Sequence, residues 1–599
     1  NRLTDKAKQV YLMIFYRAVT TFFLLASLAL PLRATELPER LPELLTDKDT
    51  RLYQQIFEAQ ELGNIKQADK LIAQLDNTML MGHILSQRYL HPTAWRSRYS
   101  ELRDWLDLYS DHPAASRIKW LADKRRPKAA AGPKQPKKGY LNGVGHHDPQ
   151  SWRAAVPVSR PGRASPRKTA AIAAEVRRAI RRGAPTAAAR YLSQSGNLRY
   201  LTKAEEGHLL GEIAHGYFVF GLDDKAIRTA RQAIGKGRAE AYMAYWAGGL
   251  AAIRSRQPEL AGMLFRTLAE LEDAPTVLRS GAAFWAQRLA LREGDFAGAM
   301  RWLDIAAASP KSFYGVMALQ ASGQHLPISF DLPQLSDDFT QWLLERRGGR
   351  RVFALLQTGN WTEAARELRY LYDEADTDRR RDMMVFAVQH NMPGLAFRLA
   401  DIFRREKGIL YYGALYPEPE VEVEFSVDRA LLWAIARKES GFYPLARSRV
   451  RASGLMQIMP ATAAFIGRDR RYRSSMRHML HNPEVNLQLG QDYIVHLLNE
   501  PLISGNLVRM LAAYNGGPGN LNKWMRRRDH QDDVFLLIES IPARETRNYI
   551  KSVITDMWMY RIKFGEDTPA LRSVIAGDPQ AGKLAFLLSP AADKTSGQP

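Results

Sequence analysis

Apolar residues recur at helical spacing over most of this chain. Tyr53, Ile56 and Phe57 make one such set, and Leu102, Trp105 and Leu106 another. Residues 35–123 are therefore expected to form amphipathic helices. From 124 to 168 the pattern stops. That stretch is rich in Lys, Arg, Pro, Gly and Ala, with KRRPK and KQPKKG runs, and reads as a flexible basic linker or insertion. Helical spacing returns over 169–420. No strand-rich region is expected, so the fold class is all-α.

Within the helical stretches a phrase repeats. Gly63-Asn64, Gly221-Leu222, Gly294-Asp295 and Gly359-Asn360 each precede an alanine five positions after the glycine: Ala68, Ala226, Ala299 and Ala364. Gln257-Pro258 and Asn391-Met392 occupy similar turns. A unit of roughly 35 residues, with a turn glycine and an alanine where two helices touch, predicts a tetratricopeptide-like helical-repeat superhelix. A helical bundle with glycine turns would give a similar pattern. The expected role of such an array is a binding surface.

Pro417-Glu418-Pro419-Glu420 reads as a hinge before a further domain over 421–565, with a tail over 566–599. In that domain Leu432, Ile435 and Glu439 lie at i, i+3 and i+7, which places a carboxyl on the apolar stripe of a helix that Gly441 ends. Burial and the negative end of the helix dipole both favour the protonated form, as a general acid near neutral pH requires. The bland alternative is an exposed glutamate at a helix end.

Three further segments carry candidate chemistry. Ser453-Gly454-Leu455-Met456-Gln457 leads into a helix opened by Pro460. Gly454 allows close backbone approach, Gln457 offers an amide, and Met456 offers an apolar surface for a sugar face; a methionine-packed loop-to-helix join is the alternative. Tyr514-Asn515 offers a hydroxyl and an amide before a Gly-Pro turn, or is simply a helix cap. Glu545, Tyr549 and Val553 share one face of another helix at i+4 steps, so Glu545 is expected to point inward, either into the same cleft or into a buried Glu–Arg pair.

Charge and cysteine content narrow the setting. Lys and Arg outnumber Asp and Glu by 85 to 63, a net +22, which suits a polyanionic partner. No nucleic-acid motif accompanies that charge. With no cysteine, disulfides, thiol catalysis and a lipidated N-terminal cysteine are excluded. His146-His147-Asp148 is read as a loop with incidental histidines, and no metal or cofactor is expected. A basic lead with Arg2, Lys6, Lys8 and Arg17, the apolar run Ala18–Leu30 and Pro31-Leu32-Arg33-Ala34 together read as a secretory signal over 1–34. The run is shorter than the ~20 residues of a membrane span.

In order and spacing, Glu439-Ser440, Gly454-Leu455-Met456-Gln457, Ala513-Tyr514-Asn515-x-Gly517 and Ile541-Pro542-x-x-Glu545-Thr546-x-x-Tyr549 closely resemble the soluble lytic murein transglycosylases, whose catalytic domain is related to goose-type lysozyme. Ser312-Phe313-Tyr314-Gly315 extends the likeness more loosely upstream; the basic 124–168 stretch departs from it. The resemblance implies cleavage of the β-1,4 bond between N-acetylmuramic acid and N-acetylglucosamine in peptidoglycan, with a 1,6-anhydro product. It implies Glu439 as acid and then base. It also implies Ser453, Gly454, Met456, Gln457, Tyr514, Asn515, Glu545 and Tyr549 as substrate-binding residues. The expected partners are glycan strands, with cell-wall synthesis proteins as further candidates, and the expected location is the periplasm, with transient or no membrane association. A hydrolytic muramidase and a non-catalytic peptidoglycan-binding scaffold are the alternatives.

Overall fold

The computed structural model describes residues 41–145 and 166–568, apart from His325, Pro327, 527–529 and Asp532. The signal expected over 1–34, the His146-His147-Asp148 triplet and the tail beyond residue 568 lie outside the described residues. The chain divides into two compact units, Asn1–Arg96 with Phe353–Gly359, and Ser97–Val352 with Asn360–Pro599. Helices are the regular elements among the described residues. Only two isolated bridges, Arg447 to Ser453 and Ser453 to Ile458, interrupt them. No described helix is long and apolar enough to cross a membrane.

The repeat phrase has a physical basis at each turn. Gly63, Gly221, Gly294 and Gly359 all take left-handed backbone, with φ of 77, 77, 77 and 74°. In the turns after Gly221 and Gly294 the next residue's N–H donates back to the preceding helix: Leu222 to Tyr217 and Asp295 to Ala290, both 2.9 Å. This satisfies a terminal carbonyl and reverses the chain. The alanine five positions after the glycine then sits in the helix–helix contact. Ala68, Ala226 and Ala364 are fully buried and Ala299 is 2% exposed. The turns at Gln257 and Asn391-Met392 follow the same rule without glycine. Arg256 (φ 57°) and Asn391 (φ 52°) take the left-handed position, and Ala261 and Ala396 are buried. Lys203–Val219, Asp223–Gly237, Tyr242–Arg254, Pro258–Glu270, Thr276–Glu293 and Phe296–Ala307 are successive helices of this kind.

The basic stretch corrects one expectation. Its described part, beyond the helix Ala115–Arg125, is a strap tied down by hydrogen bonds rather than a flexible linker. Lys137 N–H donates to Ser110 (2.8 Å) and Leu141 N–H to Arg369 (2.9 Å). The Arg369 guanidinium, buried by the fold, donates to the carbonyls of Leu141 and Gly143, both at 2.9 Å. A buried cation needs acceptors, and the strap supplies them. Tyr140 meets Tyr370 edge-on, ring centres 5.0 Å apart. At Gly145 a side chain would collide with Phe397.

The Ser312–Gly315 segment joins the repeats to the residues around the acid. Ser312 caps the helix Phe313–Ala321, accepting from Gly315 N–H at 3.0 Å. Phe313 stacks on Trp558, ring centres 5.8 Å apart. The Tyr314 hydroxyl donates to buried Glu539 (2.9 Å), which also takes the Lys551 ammonium at 3.0 Å.

Candidate active site

Glu439 lies in the last turn of the helix Arg429–Ser440. Asp428 opens that helix, accepting from the N–H groups of Ala430 and Leu431. Gly441 closes it in left-handed conformation (φ 57°), donating to Arg437 at 3.1 Å. Leu432 and Ile435 are fully buried, and so is nearly the whole body of the helix. Its position is fixed by a buried pair: Arg437 meets Asp556 at 2.7 Å and donates to the Leu415 carbonyl. The Tyr416 hydroxyl completes the Asp556 carboxylate at 3.0 Å.

In the final turn Arg437 and Ser440 are buried while Lys438 and Glu439 are half-buried. Burial drives the proton affinity of Glu439 up, to a pKa of about 7; the nearby Tyr549 hydroxyl and Lys438 pull it down, and Glu545 adds to the rise. The Tyr549 hydroxyl is buried with no hydrogen bond of good geometry among the described residues, so it is a donor in reserve beside the acid. Tyr549 belongs to the helix Arg544–Lys563 and stacks on Tyr514, ring centres 6.4 Å apart and planes 10° apart. Burial and the Glu439 charge hold both phenols well above their usual pKa, so both stay protonated.

The segment 441–459 forms a tight loop beside the acid. Three non-glycine residues there, Phe442 (φ 60°), Arg451 (75°) and Gln457 (49°), take left-handed backbone, a conformation that costs side-chain-bearing residues roughly 1 kcal/mol or more each. Asn486 holds the loop in place. Fully buried, it accepts from Met456 N–H (2.7 Å) and donates to the carbonyls of Ser453 (3.0 Å) and Leu480 (2.9 Å). The Tyr514 hydroxyl donates to the Met456 carbonyl at 2.8 Å.

These contacts sort the expected substrate residues. Ser453 is 1% exposed and Met456 fully buried, so neither side chain offers a surface to a ligand. Met456 instead fills the space over Gly490, where a Cβ would meet its Cγ at 2.8 Å. Gly454 is needed because a Cβ would lie 2.1 Å from the Leu480 carbonyl. Gln457 is half-buried; its amide N–H donates to Gly454 (2.8 Å) and Ala446 (3.3 Å), which leaves its oxygen for another partner. Asn515 accepts from the Thr546 hydroxyl at 2.7 Å. Glu545 corrects a further expectation: it is exposed, not inward. Thr546, Arg547 and Tyr549 take the buried positions of that first turn, and Arg547 donates to the Ile541 and Pro542 carbonyls instead of pairing with Glu545.

Sequence reasoning missed Asn486, Gly490 and Tyr493. They lie at i, i+4 and i+7 on the helix Pro483–Asn499 and support the loop, the Met456 side chain and Tyr514 in turn. Tyr493 packs 5.4 Å from Tyr514. An asparagine within an apolar helical stripe was the available signal, since a buried amide needs a fixed set of partners.

Residues 419–535 match the family described as "Transglycosylase SLT domain". That segment is similar to the transglycosylase SLT domain. The soluble lytic murein transglycosylase of Escherichia coli (strain K12) is 30% identical over 305 residues, which is 48% of this chain and 45% of that protein. The chain thus spans about half the length of that curated relative. The membrane-bound lytic murein transglycosylase C of Edwardsiella ictaluri is 31% identical over 156 residues, 23% of this chain and 43% of that protein. Among solved structures, an inactive mutant of the lytic transglycosylase Slt from Pseudomonas aeruginosa is similar in fold, with a TM-score of 0.50 and 19% identity, covering 87% of this chain and 88% of that one. The SLT match contains Glu439, Gln457, Tyr514 and Asn515 but stops before Glu545 and Tyr549. The helix carrying these last two nevertheless packs directly on the acid helix, through the Arg437–Asp556 pair.

Proposed function

We propose that this protein is a peptidoglycan lytic transglycosylase, acting in the periplasm on the β-1,4 bond between N-acetylmuramic acid and N-acetylglucosamine. The observation that carries this reading is Glu439, a half-buried carboxyl raised to a pKa of about 7 in the last turn of a buried helix. Near neutral pH a large fraction of it is protonated, so it donates to the glycosidic oxygen as the C1–O bond breaks. The resulting carboxylate then takes the proton of the muramyl C6 hydroxyl as that oxygen bonds to C1. No water is consumed, and the product is a 1,6-anhydro end.

A usual glycosidase employs two carboxylates. Here Glu545 is the other carboxylate that acts on Glu439, and it does so by raising its proton affinity. Stabilisation of the cation at C1 therefore falls to the substrate's own N-acetyl carbonyl. The Gln457 oxygen, the Asn515 amide and the Tyr549 hydroxyl would position the sugars, while Tyr514 shapes the loop from beneath. Ser453, Gly454 and Met456 contribute through backbone geometry. The expected signal over 1–34 fits an enzyme that works outside the cytoplasm.

Digestion of purified sacculi by wild type and Glu439→Gln, with product masses, tests the proposal. The expected products of the wild type are 18 Da lighter than hydrolytic ones, by the mass of one water, and the variant releases almost none. Hydrated ends would make the protein a muramidase. Unchanged digestion by the variant would remove Glu439 from the chemistry, and no digestion by either would leave a glycan-binding scaffold.

A further inference from the structure

The acid helix stops at Gly441, two residues past Glu439, and the chain turns on through Phe442. Both Gly441 and Phe442 take left-handed backbone, with φ of 57 and 60°. A helix end opens readily, because its last carbonyls lack partners within the helix. Here the turn is packed closely. Fully buried Phe442 meets Phe397 edge-on, ring centres 6.2 Å apart. A Cβ at Gly394, on the same helix as Phe397, would lie 2.6 Å from the Phe442 carbonyl. The Phe397 ring also carries the Arg437 guanidinium, 4.8 Å from its centre.

The strap reaches this same turn. A Cβ at Gly441 would lie 3.0 Å from the Phe397 ring and 3.2 Å from the Gly145 carbonyl. A Cβ at Gly145 would lie 2.7 Å from that ring. Strap and turn therefore meet backbone to backbone beside one phenylalanine, with no room for a side chain at either glycine. Arg369 joins them a second time. Its guanidinium donates to the strap carbonyls of Leu141 and Gly143, both at 2.9 Å, and its carbon lies 5.1 Å from the centre of the Tyr443 ring. One buried cation thus holds the strap at 141–143 and the turn at 443, on the two sides of the Gly145–Gly441 contact.

We propose that Gly145 and Arg369 are positioning residues for Glu439: they clamp the strap against the turn that stops the acid helix, which keeps the last helical turn closed and the carboxyl shielded from water. The inference rests on the proposed function. The Gly441 N–H closes that last turn on Arg437, so a displaced Gly441 frees the segment that carries Glu439. Water then reaches the carboxyl. Desolvation is the main cause of its raised proton affinity, and relief of it moves the group back toward an ordinary carboxylate. The charged and titratable groups that face Glu439 are Lys438 on its own helix, Glu545 and Tyr549 on Arg544–Lys563, and Tyr514 on Leu507–Gly516. Loosening the clamp removes none of them, so a shift in titration would report water access rather than a lost charge.

The test measures kcat, KM and the pH dependence of kcat/KM on soluble peptidoglycan strands for wild type, Gly145→Ala, Arg369→Gln and Arg369→Lys. Gly294→Ala, in a repeat turn, serves as the control for lowered stability alone. In Gly145→Ala and Arg369→Gln, kcat should fall roughly tenfold while KM stays within about twofold. The alkaline limb of the pH profile should move to lower pH. Arg369→Lys still donates to a carbonyl and should recover part of both losses. Gly145→Ala adds one methyl group and leaves Arg369 in place, so it decides the question even where Arg369→Gln fails to fold. Titration of the Glu439 carboxyl by infrared difference against Glu439→Gln should show the same downward shift without substrate. An unchanged kcat, a fall in kcat with the limb and the titration unmoved, or a response matching that of Gly294→Ala would each overturn the clamp. A wild type without lytic activity would overturn the proposed function instead, and the infrared titration would still judge the clamp.

Discussion

The repeat turns and the loop at 441–459 both bend the chain through left-handed backbone, but they use it differently. In the repeats the position is mostly glycine, the next N–H recaptures a helix carbonyl, and a buried alanine follows. Each turn is a local solution that works wherever it is placed. In the loop, Phe442, Arg451 and Gln457 carry side chains through the same conformation, and side chains from other helices, Asn486 and Tyr514, brace the Ser453–Met456 stretch between them. The repeats minimise strain one turn at a time. The loop accepts strain and offsets it with contacts drawn from another helix, a pattern typical of functional sites.

The largest effect expected on the site side of this comparison is chemical. Glu439→Gln should lower kcat on sacculi by a factor on the order of 10³ or more, read as release of soluble muropeptides. Next is Asn486→Ala. It strips partners from Met456 N–H and two carbonyls, all buried, so a loss of about 3 kcal/mol is expected, measured by urea unfolding. Activity should fall with it, because Gln457 loses its fixed position. If stability held and only activity fell, the loop would be less strained than its backbone angles imply.

A third measurement asks what the raised acid costs the fold. At low pH Glu439 is protonated in both folded and unfolded states and has no effect. Between about pH 4.5 and 7 the unfolded state ionises while the folded state keeps its proton, so stability falls as pH rises through that window. Above about pH 7 the deficit is complete, at roughly 3 kcal/mol or less. Glu439→Gln should therefore raise Tm relative to wild type at pH 8 and leave it near wild type at pH 4. The same pKa predicts that wild-type kcat/KM declines as pH rises above about 7, because the donor form is lost.

The smallest effects belong to the repeats. A Cβ at Gly294 would meet nothing within 4 Å, so Gly294→Ala isolates the backbone term and should cost about 1 kcal/mol by thermal unfolding. The reverse change at the non-glycine turn, Arg256→Gly, should gain a few tenths of a kcal/mol. If the two matched in size and sign, the repeat turns would not share one backbone rule.

The comparison also explains what was legible in the residues. The repeat turns were readable because each is coded within six consecutive positions, Gly63 to Ala68 or Gly294 to Ala299. The acid was readable because helix register and the Gly441 stop are local. The ordering of the strap was not, since Arg369 supplies its partner from more than two hundred residues away. Glu545 misled for the opposite reason. Its i+4 spacing with Tyr549 was sound, but the first turn of a helix has several candidate inward faces, and packing of Thr546 and Arg547 selected among them. Met456 was judged by its chemistry rather than by the space over Gly490 that only the fold reveals.

The seam of Phe313 against Trp558 and of Tyr314 against Glu539 has a practical consequence for anyone who would trim the protein. A fragment cut between Pro417 and Glu420 would present a bare indole to water and strand an acid–lysine pair without its phenol. Such a piece should clump and lose solubility unless the short helix Phe313–Ala321 travels with it. The smallest soluble piece that carries Glu439 is thus a discontinuous one, assembled from two stretches of chain.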